Sequence, residues 1–501
     1  MKQSSASGHF DFKTFFPPKA SALRDVSSKL KIPWKHIEND FLDFNKQYLI
    51  PHLLSTRGPK IAVSDINKDG LDDFFVCGAK GQPGVLMMQT ANGQFISSDT
   101  ALFSQFRNSE GVDALFFDAN GDSYPDLYVV SGGNELEDGN AALADHLFLN
   151  DTRGHFTQSK LVLPAILTNK SCVAVADIDK DGDNDLFVGG MSDATHYGIA
   201  QPSYLLLNNG EGGFKIADSS RIQLDKAGMI TSASFADMNG DGWEDLIIAG
   251  EWTPVQVLLN RNAVFNKSAI AGSSGLWQSL LTTDVNGDGL TDILAGNWGY
   301  NSKLYAGKNG PLKLFIKDFD KNGTLEQILT YAIDGKDYTF LAKDELERAL
   351  PVLKKAYLTY SEVAGRTVDY MFYDLFRDYT LLKADMLGST CFLNDGKGGF
   401  ITVPLPRELQ TAPLMRFVSL QDGKRGFLAA GNFYGVIPFE GRYDAMLPTG
   451  FFYDKTNRDF KTGFSLPGIS GEIRDAEWIK VQGGKKILLI ARNNESLLFY
   501  Q

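Results

Sequence analysis

The sequence predicts an all-β fold, a seven-bladed β-propeller with a partly helical insertion in its fifth blade. Three features predict it. A nine-residue loop rich in carboxylates recurs six times, each time between two short apolar strands. A second, outer strand pair closing on an aromatic residue recurs behind it. Intact loops follow one another at spacings of 53, 59, 60 and 47 residues, which is the length of one propeller blade.

Residues 1–58 lie outside the repeat. Pro17-Pro18 breaks the chain early, and Ala22 to Leu30 reads as a short helix. His36 stands alone in a chain with six histidines, a pattern that suits a structural imidazole better than a catalytic one. From residue 59 each unit has two parts. The first is an apolar strand, the oxygen loop and a second strand ending in Gly. The second is an outer pair, as in Tyr204-Leu-Leu-Leu-Asn through Phe214 or Cys391-Phe-Leu-Asn through Phe400. Seven outer pairs can be counted. Seven first parts can be counted too, if Arg416 to Gly431 and Glu477 to Ala491 are taken as copies that keep the strands and lose the ligands. The last unit stops after its third strand at Gln501. A closed ring then needs a strand from the N-terminal segment, Phe41 to Tyr48 or else Phe10 to Phe16. After Asn297-Trp298-Gly-Tyr300 the expected outer strand is delayed until Cys391. The delay marks an insertion at about 302–388, helical over roughly Lys343 to Val363 and broken or kinked at Pro351. Insertions of this length often carry function. The domain reading is thus an N-terminal segment, 1–58, and a propeller, 59–501.

The clearest loop is Asp237-Met-Asn-Gly-Asp-Gly-Trp-Glu-Asp245. Asp237, Asn239, Asp241 and Asp245 put side-chain oxygens at positions one, three, five and nine, the carbonyl of Trp243 is available at seven, and Gly242 makes the sharp turn at six. Ca²⁺ takes six to eight oxygens, backbone carbonyls among them, so such a loop can wrap it. Full matches are Asp65, Asn67, Asp69, Leu71 and Asp73; Asp177, Asp179, Asp181, Asp183 and Asp185; and Asp284, Asn286, Asp288, Leu290 and Asp292. Asp118, Asn120, Asp122, Tyr124 and Asp126 form a fourth, with Ser123 in place of the glycine. Asp318, Asp320, Asn322, Thr324 and Glu326 form a variant inside the insertion. One such loop could be an ordinary acidic turn; six in one chain point to metal. All-oxygen donors select a hard cation, Ca²⁺, and five or six ions.

Composition agrees. The chain is 43% hydrophobic and 22% charged, as a globular protein is. Its 50 glycines suit many tight turns. The net charge of −12 is about what five or six divalent ions would offset. It argues against nucleic acid, which needs a basic surface, and disfavours acidic partners in general. Cys77, Cys172 and Cys391 lie in or beside apolar strand runs and read as buried free thiols. Neither a disulfide framework nor a zinc spacing is visible. No apolar run is long enough to span a membrane, and the first residues lack a signal-peptide core.

The repeats resemble FG-GAP/VCBS repeats, the blades of the integrin α-chain propeller. Residues 30–501 are more specifically similar to the C-terminal half of Bacteroidetes-type VCBS-repeat proteins with an ASPIC/UnbV domain. The likeness rests on His36-Ile-Glu-Asn-Asp-Phe-Leu-Asp-Phe44, Pro51-His-Leu-Leu-Ser55, Gly250-Glu-Trp-Thr-Pro254, Gly296-Asn-Trp-Gly-Tyr-Asn-Ser-Lys303, Asp318-Phe-Asp-Lys-Asn-Gly323 and Gly441-Arg-Tyr-Asp-Ala445. The resemblance implies a Ca²⁺-stabilised propeller, extracellular or held in the cell envelope. In such a propeller the oxygen loops occupy one face. The other face is built by the loops after each second strand, where Glu135, Glu251, Trp252, Asn297, Trp298, Tyr300, Asn432 and Tyr434 fall. Flat aromatic rings beside amides and carboxylates suit a glycan or a protein partner, and they also suit packing between blades. The expected function is a binding or adhesion module. A hydrolase using Glu135 and Glu251 and a purely structural envelope component are the alternatives. No nucleophile elbow, HExxH or phosphate loop is present.

Overall fold

The computed structural model describes residues 23–161, 163–224, 227–306, 309–420 and 426–501. It is all-β. Seven antiparallel sheets follow one another along the chain among these residues. The first has strands Ile61–Ser64, Asp73–Val76, Val85–Gln89 and Phe95–Ser98. The second has Glu110–Phe117, Asp126–Gly132, His146–Asn150 and Phe156–Gln158. The third has Lys170–Ala176, Asp185–Gly190, Tyr204–Asn208 and Phe214–Ile216. The fourth has Met229–Ala236, Asp245–Thr253, Gln256–Arg261 and Val264–Ala269, and the short strand Gly275–Leu276 adds to it. The fifth has Ser279–Thr283, Asp292–Gly296, Thr390–Asn394 and Phe400–Pro404. The sixth has Leu414–Ser419, Gly426–Gly431, Thr449–Asp454 and Asp459–Ser465. The seventh has three strands, Ile473–Val481, Lys485–Arg492 and Leu498–Tyr500. The first strand of each sheet packs beside the first strand of the next, and that of the seventh beside that of the first.

The second strands explain the sequence pattern best. Asp73–Val76, Asp185–Gly190 and Asp292–Gly296 are buried at every residue. Both of their faces are covered by neighbouring sheets, so they read as unbroken apolar runs instead of alternating ones. Separate apolar clusters fill the gaps: Phe75, Ala114, Leu127 and Phe148 between the first and second sheets, and Ile178, Phe187, Ile248 and Leu258 between the third and fourth. The glycine that ends the second strand is a close-approach residue. A Cβ on Gly431 would stand 1.9 Å from the carbonyl oxygen of Pro413, well inside contact distance. The three cysteines are free and buried.

An eighth sheet is formed by chain that lies between the second and third strands of the fifth. Its order is Lys336–Thr339, Glu326–Ile333, Leu312–Lys317 and Thr380–Ala384. Four short helices, Lys343–Ala349, Pro351–Ala356, Tyr360–Val363 and Val368–Phe372, stand between its strands. Pro351 occupies the first turn of its helix, where its missing N–H costs nothing.

The N-terminal segment departs from expectation. Among its described residues the α-helix is Ser27–Leu30. The open edge of the seventh sheet is met by residues 24–26 and not by 41–48: Arg24 N–H donates to Gln501 O at 2.7 Å, Gln501 N–H returns to Arg24 O at 2.8 Å, and Val26 N–H donates to Phe499 O at 2.8 Å. Residues 41–48 contain the 3-10 turn Asp43–Asn45, which cannot extend a ladder. Residues 10–16 lie outside the described residues. Residues 36–58 instead form a strap that reaches every one of the seven sheets. Ile37 N–H bonds Gln82, Asn39 bonds Glu135, Gln47 bonds the Ala194 carbonyl, and His52 bonds Glu251. Arg57 bonds Gln278, Leu53 N–H bonds Gly435 O, and His36 N–H bonds Glu495 O.

Candidate metal centre and the opposite face

All six loops share one hydrogen-bonded frame. The position-six N–H donates to the second oxygen of the position-one Asp at 2.7–3.1 Å in each of them. The position-seven N–H donates to position five in each. The position-two N–H donates to the ninth carboxylate at 2.9–3.3 Å. Position six carries a positive φ throughout, +69° at Ser123 and +80° at Gly242. Ser123 therefore takes the left-handed turn that its glycine counterparts take, at a cost a serine bears and a glycine does not.

These bonds turn the remaining carboxylate oxygens inward. The oxygens of Asp177, Asp179 and Asp185 lie within 4.8 Å of one another, as do those of Asp318, Asp320 and Glu326. Oδ1 of Asp177, of Asp179 and of Asp320 are buried without a hydrogen-bond partner. Unpaired buried carboxylate oxygens are costly, and a hard divalent cation is the partner that this donor set fits. In four loops position three is Asn, and its amide donates to the position-five Asp at 2.9–3.3 Å. Burial pushes the ninth carboxyls up, to about 6 at Asp126, Asp245 and Asp292 and about 7 at Asp73, Asp185 and Glu326. Neighbouring loop carboxylates add to the shift, and backbone N–H groups oppose it.

The ninth carboxylate also joins sheets, a role the sequence showed only as a recurring Asn at the end of strand three. The N–H groups of Gln89, Asn150, Asn208, Asn260 and Asn394 donate to its other oxygen at 2.7–2.8 Å. The side-chain amides of the four Asn then donate across to the preceding sheet's loop, to the carbonyls of Ile66, Ala119, Ile178 and Met238 at 2.7–3.0 Å. Gln89 does the same to Lys480 O of the seventh sheet. At position seven, Tyr124 lies beneath Lys68 of the first loop at 4.0 Å and Trp243 beneath Lys180 of the third at 4.2 Å. The second to fifth loops are thus each fixed to the one before, and the first sheet to the seventh.

The opposite face is not the open surface that the eight residues named from sequence suggested. The chain's own strap fills it. Glu251 is fully buried. Its oxygens receive His52 Nε2 at 3.1 Å, Arg57 at 3.1 Å, Tyr197 Oη at 2.8 Å and Gln278 Nε2 at 3.1 Å. Trp252 is buried at a φ of +59°, unusual for a bulky side chain, and is held by its Nε1–H on Tyr197 Oη at 2.7 Å. Trp298 is buried and stacks on the His52 ring at 4.7 Å. Asn297 and Asn432 are buried and spend their amides on backbone, Asn297 on Leu276, Trp298 and Met386, Asn432 on Met446 and Gly471. Glu135 is held by Asn39 at 2.8 Å and Lys80 at 2.9 Å. Tyr434 lies under Arg442 at 4.8 Å. Tyr300 alone of the eight is well exposed. His52, Arg57, Tyr197 and Gln278 complete this hub; of these the sequence marks only His52, within Pro51 to Ser55, and gives it no role.

Residues 65–129, 118–188, 194–248 and 237–295 match the family model described as FG-GAP-like repeat, so this chain carries such repeats. No curated protein matches it. Among solved structures, the crystal structure of the V. cholerae biofilm matrix protein Bap1 aligns with 94% of this chain and 90% of that chain, at 12% identity and a TM-score of 0.36.

Proposed function

We propose that these FG-GAP-like repeats form a seven-bladed, calcium-loaded β-propeller that serves as a binding module of the adhesion type. The observation that carries the calcium reading is the common hydrogen-bonded frame of the six loops, joined in the third and the sixth by unpaired carboxylate oxygens within one cluster. The seven sheets are the blades, and 302–388 is the insertion in the fifth. Each ion neutralises carboxylates that repel one another, and in the second to fifth loops the ninth residue and its Asn fix one blade to the next. The loops are staples, with Asp→Ala at a first ligand loosening a blade more than it alters binding. Finer kinship, with VCBS-repeat proteins that bear an ASPIC/UnbV domain, rests on the motifs given above. So does an extracellular or envelope location, where millimolar calcium would keep such loops filled.

With the strap filling the face opposite the loops, partner binding is assigned to the eighth sheet and its helices, where Leu358, Tyr360, Tyr370 and Tyr373 are exposed. The glycan-hydrolase alternative loses its acid and base pair: both Glu251 oxygens are engaged, and Glu135 is salt-bridged. The filled face favours the purely structural alternative as much as the binding one. Metal content per chain after dialysis tests the calcium reading, with five or six Ca²⁺ expected and none contradicting it. A glycan array beside a hydrolase screen tests the module. Binding without turnover is expected; turnover that survives Glu251→Gln would overturn the choice of a binding module over an enzyme.

A further inference from the structure

Five loops are held on both sides of the ninth carboxylate, and the sixth is not. Glu326 receives the Phe319 N–H on Oε2 at 2.9 Å. Its Oε1 receives only the Thr324 hydroxyl, at 3.4 Å, where the other loops receive a strand N–H at 2.7–2.8 Å. The cause is topological. The strand outside Glu326–Ile333 is Lys336–Thr339, and their pairing begins only at Thr330, so no third strand reaches the loop. The loop opens instead on a groove of about 510 Å³ between the strap, the third sheet's Thr195-His196 turn and the helix Lys343–Ala349. Lys46, Tyr48, His196, Asn322, Glu326 and Arg348 line it. Lys46 and Arg348 are exposed, and neither has a carboxylate partner among the described residues; each lies over an aromatic ring, Phe41 at 5.4 Å and Tyr48 at 4.2 Å. Asp320 Oδ1 is buried and unpaired.

We propose that this groove binds a carboxylate-bearing glycan, whose carboxylate completes the coordination of the divalent ion held by the sixth loop. The proposal rests on the calcium reading of the loops and adds a ligand to one of them. Asp318, Asp320, Asn322 and Glu326 with the Thr324 carbonyl supply fewer oxygens than Ca²⁺ accepts, and three of these residues, Asn322, Thr324 and Glu326, line the groove. A carboxylate there meets the ion on one side and the free cations of Lys46 and Arg348 on the other, a charge-assisted pairing. The Asn322 and Thr324 side chains on this wall, and those of Thr195 and His196 across from it, suit sugar hydroxyls, beside an apolar part of the lining made by Leu49, Leu325 and Ala349. In the groove Lys46 and Arg348 stand with Glu137 and Glu326, so the lining is near neutral and the bound ion, not the chain's net charge of −12, sets the local attraction for an anion.

The test is calorimetric titration of the full chain with trigalacturonate in excess Ca²⁺, with the metal count taken on the same sample. Wild type is expected to bind. Asp318→Ala should lose one ion and bind about tenfold or more weakly, and Arg348→Ala should keep every ion and bind about three- to tenfold more weakly. Asp177→Ala, in the third loop, should lose an ion and bind like wild type. No metal in any loop would remove the calcium reading itself. A full metal count without trigalacturonate binding would overturn the groove alone. So would equal binding of an uncharged galactose trisaccharide, unchanged binding in both groove variants, or displacement of trigalacturonate by an Asp-rich peptide at equal concentration.

Discussion

Glu251→Gln isolates the buried anion that fastens the strap. The Glu251 side chain is fully buried and accepts four hydrogen bonds, two on each oxygen, from His52, Arg57, Tyr197 and Gln278. Burial alone would raise its carboxyl. The charges of His52 and Arg57 and the hydrogen bonds of His52 and Gln278 outweigh burial and hold it below the ordinary carboxylate range. Glutamine keeps the shape and one acceptor, and it turns an NH₂ against two donors. Arg57, itself mostly buried, is left with Gln278 Oε1 at 2.6 Å and no counter-charge. Removing one partner from a buried ion pair costs about 3–5 kcal/mol. Because one acceptor survives, the lower end, about 3 kcal/mol, is expected. The strap carries this loss first, since its hold on Gly435 and Ala194 depends on His52 and Arg57 staying in place. Hydrogen exchange of residues 36–58 reads it directly: about a hundredfold faster exchange there is expected, at about 1.4 kcal/mol per tenfold, with the second strands unchanged. Exchange within about threefold of wild type, or an increase spread evenly over the sheets, would refute the hub.

Asn150→Ala removes two bonds donated to the carbonyls of Ile66 and Pro125 and two accepted from Thr152 and Gly154. At about 1 kcal/mol per bond it should lower stability by about 2–4 kcal/mol in urea unfolding, and a loss under about 0.5 kcal/mol would mean that the Asn ladder does not join sheets. In chelator, pH should act in the opposite sense to ordinary acid denaturation. The ninth carboxyls titrate near 6 to 7 folded and at about 3.9 unfolded for Asp, so between those values the folded state binds more protons. Stability is then fullest below pH 4 on this account and falls as pH rises through 6 to 7. With Ca²⁺ the slope reverses, because protons compete with the ion. Unfolding midpoints at pH 5.5 and 7.5 check both, and a chelated midpoint that climbs with pH would contradict the burial of these groups.

The oxygen loops were legible because their chemistry is local. Positions one, three, five, six and nine lie within nine residues, and the frame that orients them is made of bonds between residues two to seven apart. The paired strands and their terminal glycines were legible for the same reason. The strap was not. Its partners lie from 45 to more than 450 residues away in the chain, and no period or motif in residues 36–58 encodes which sheet ends they cover. For that reason Glu251 and Trp252, which belong to the end of the second strand Asp245–Thr253, and Trp298, which follows Asp292–Gly296, were read as a surface, when His52 and Arg57 bond Glu251 and His52 stacks on Trp298. The Asn at the end of strand three was visible as a recurrence. Its meaning needs the neighbouring sheet, because the carbonyl it holds is 82 to 156 residues away.

Thermal unfolding in excess Ca²⁺ and in chelator, on one preparation at neutral pH, tests the claim that cations staple these loops. A single ion held at a hundred times its dissociation constant adds about 2.7 kcal/mol, so several should move the midpoint by many degrees. The account predicts that large fall on chelation, reversed by adding Ca²⁺ back. An unchanged midpoint would mean that the six loops are acidic turns held by their own backbone, and the calcium-stapled ring would be wrong.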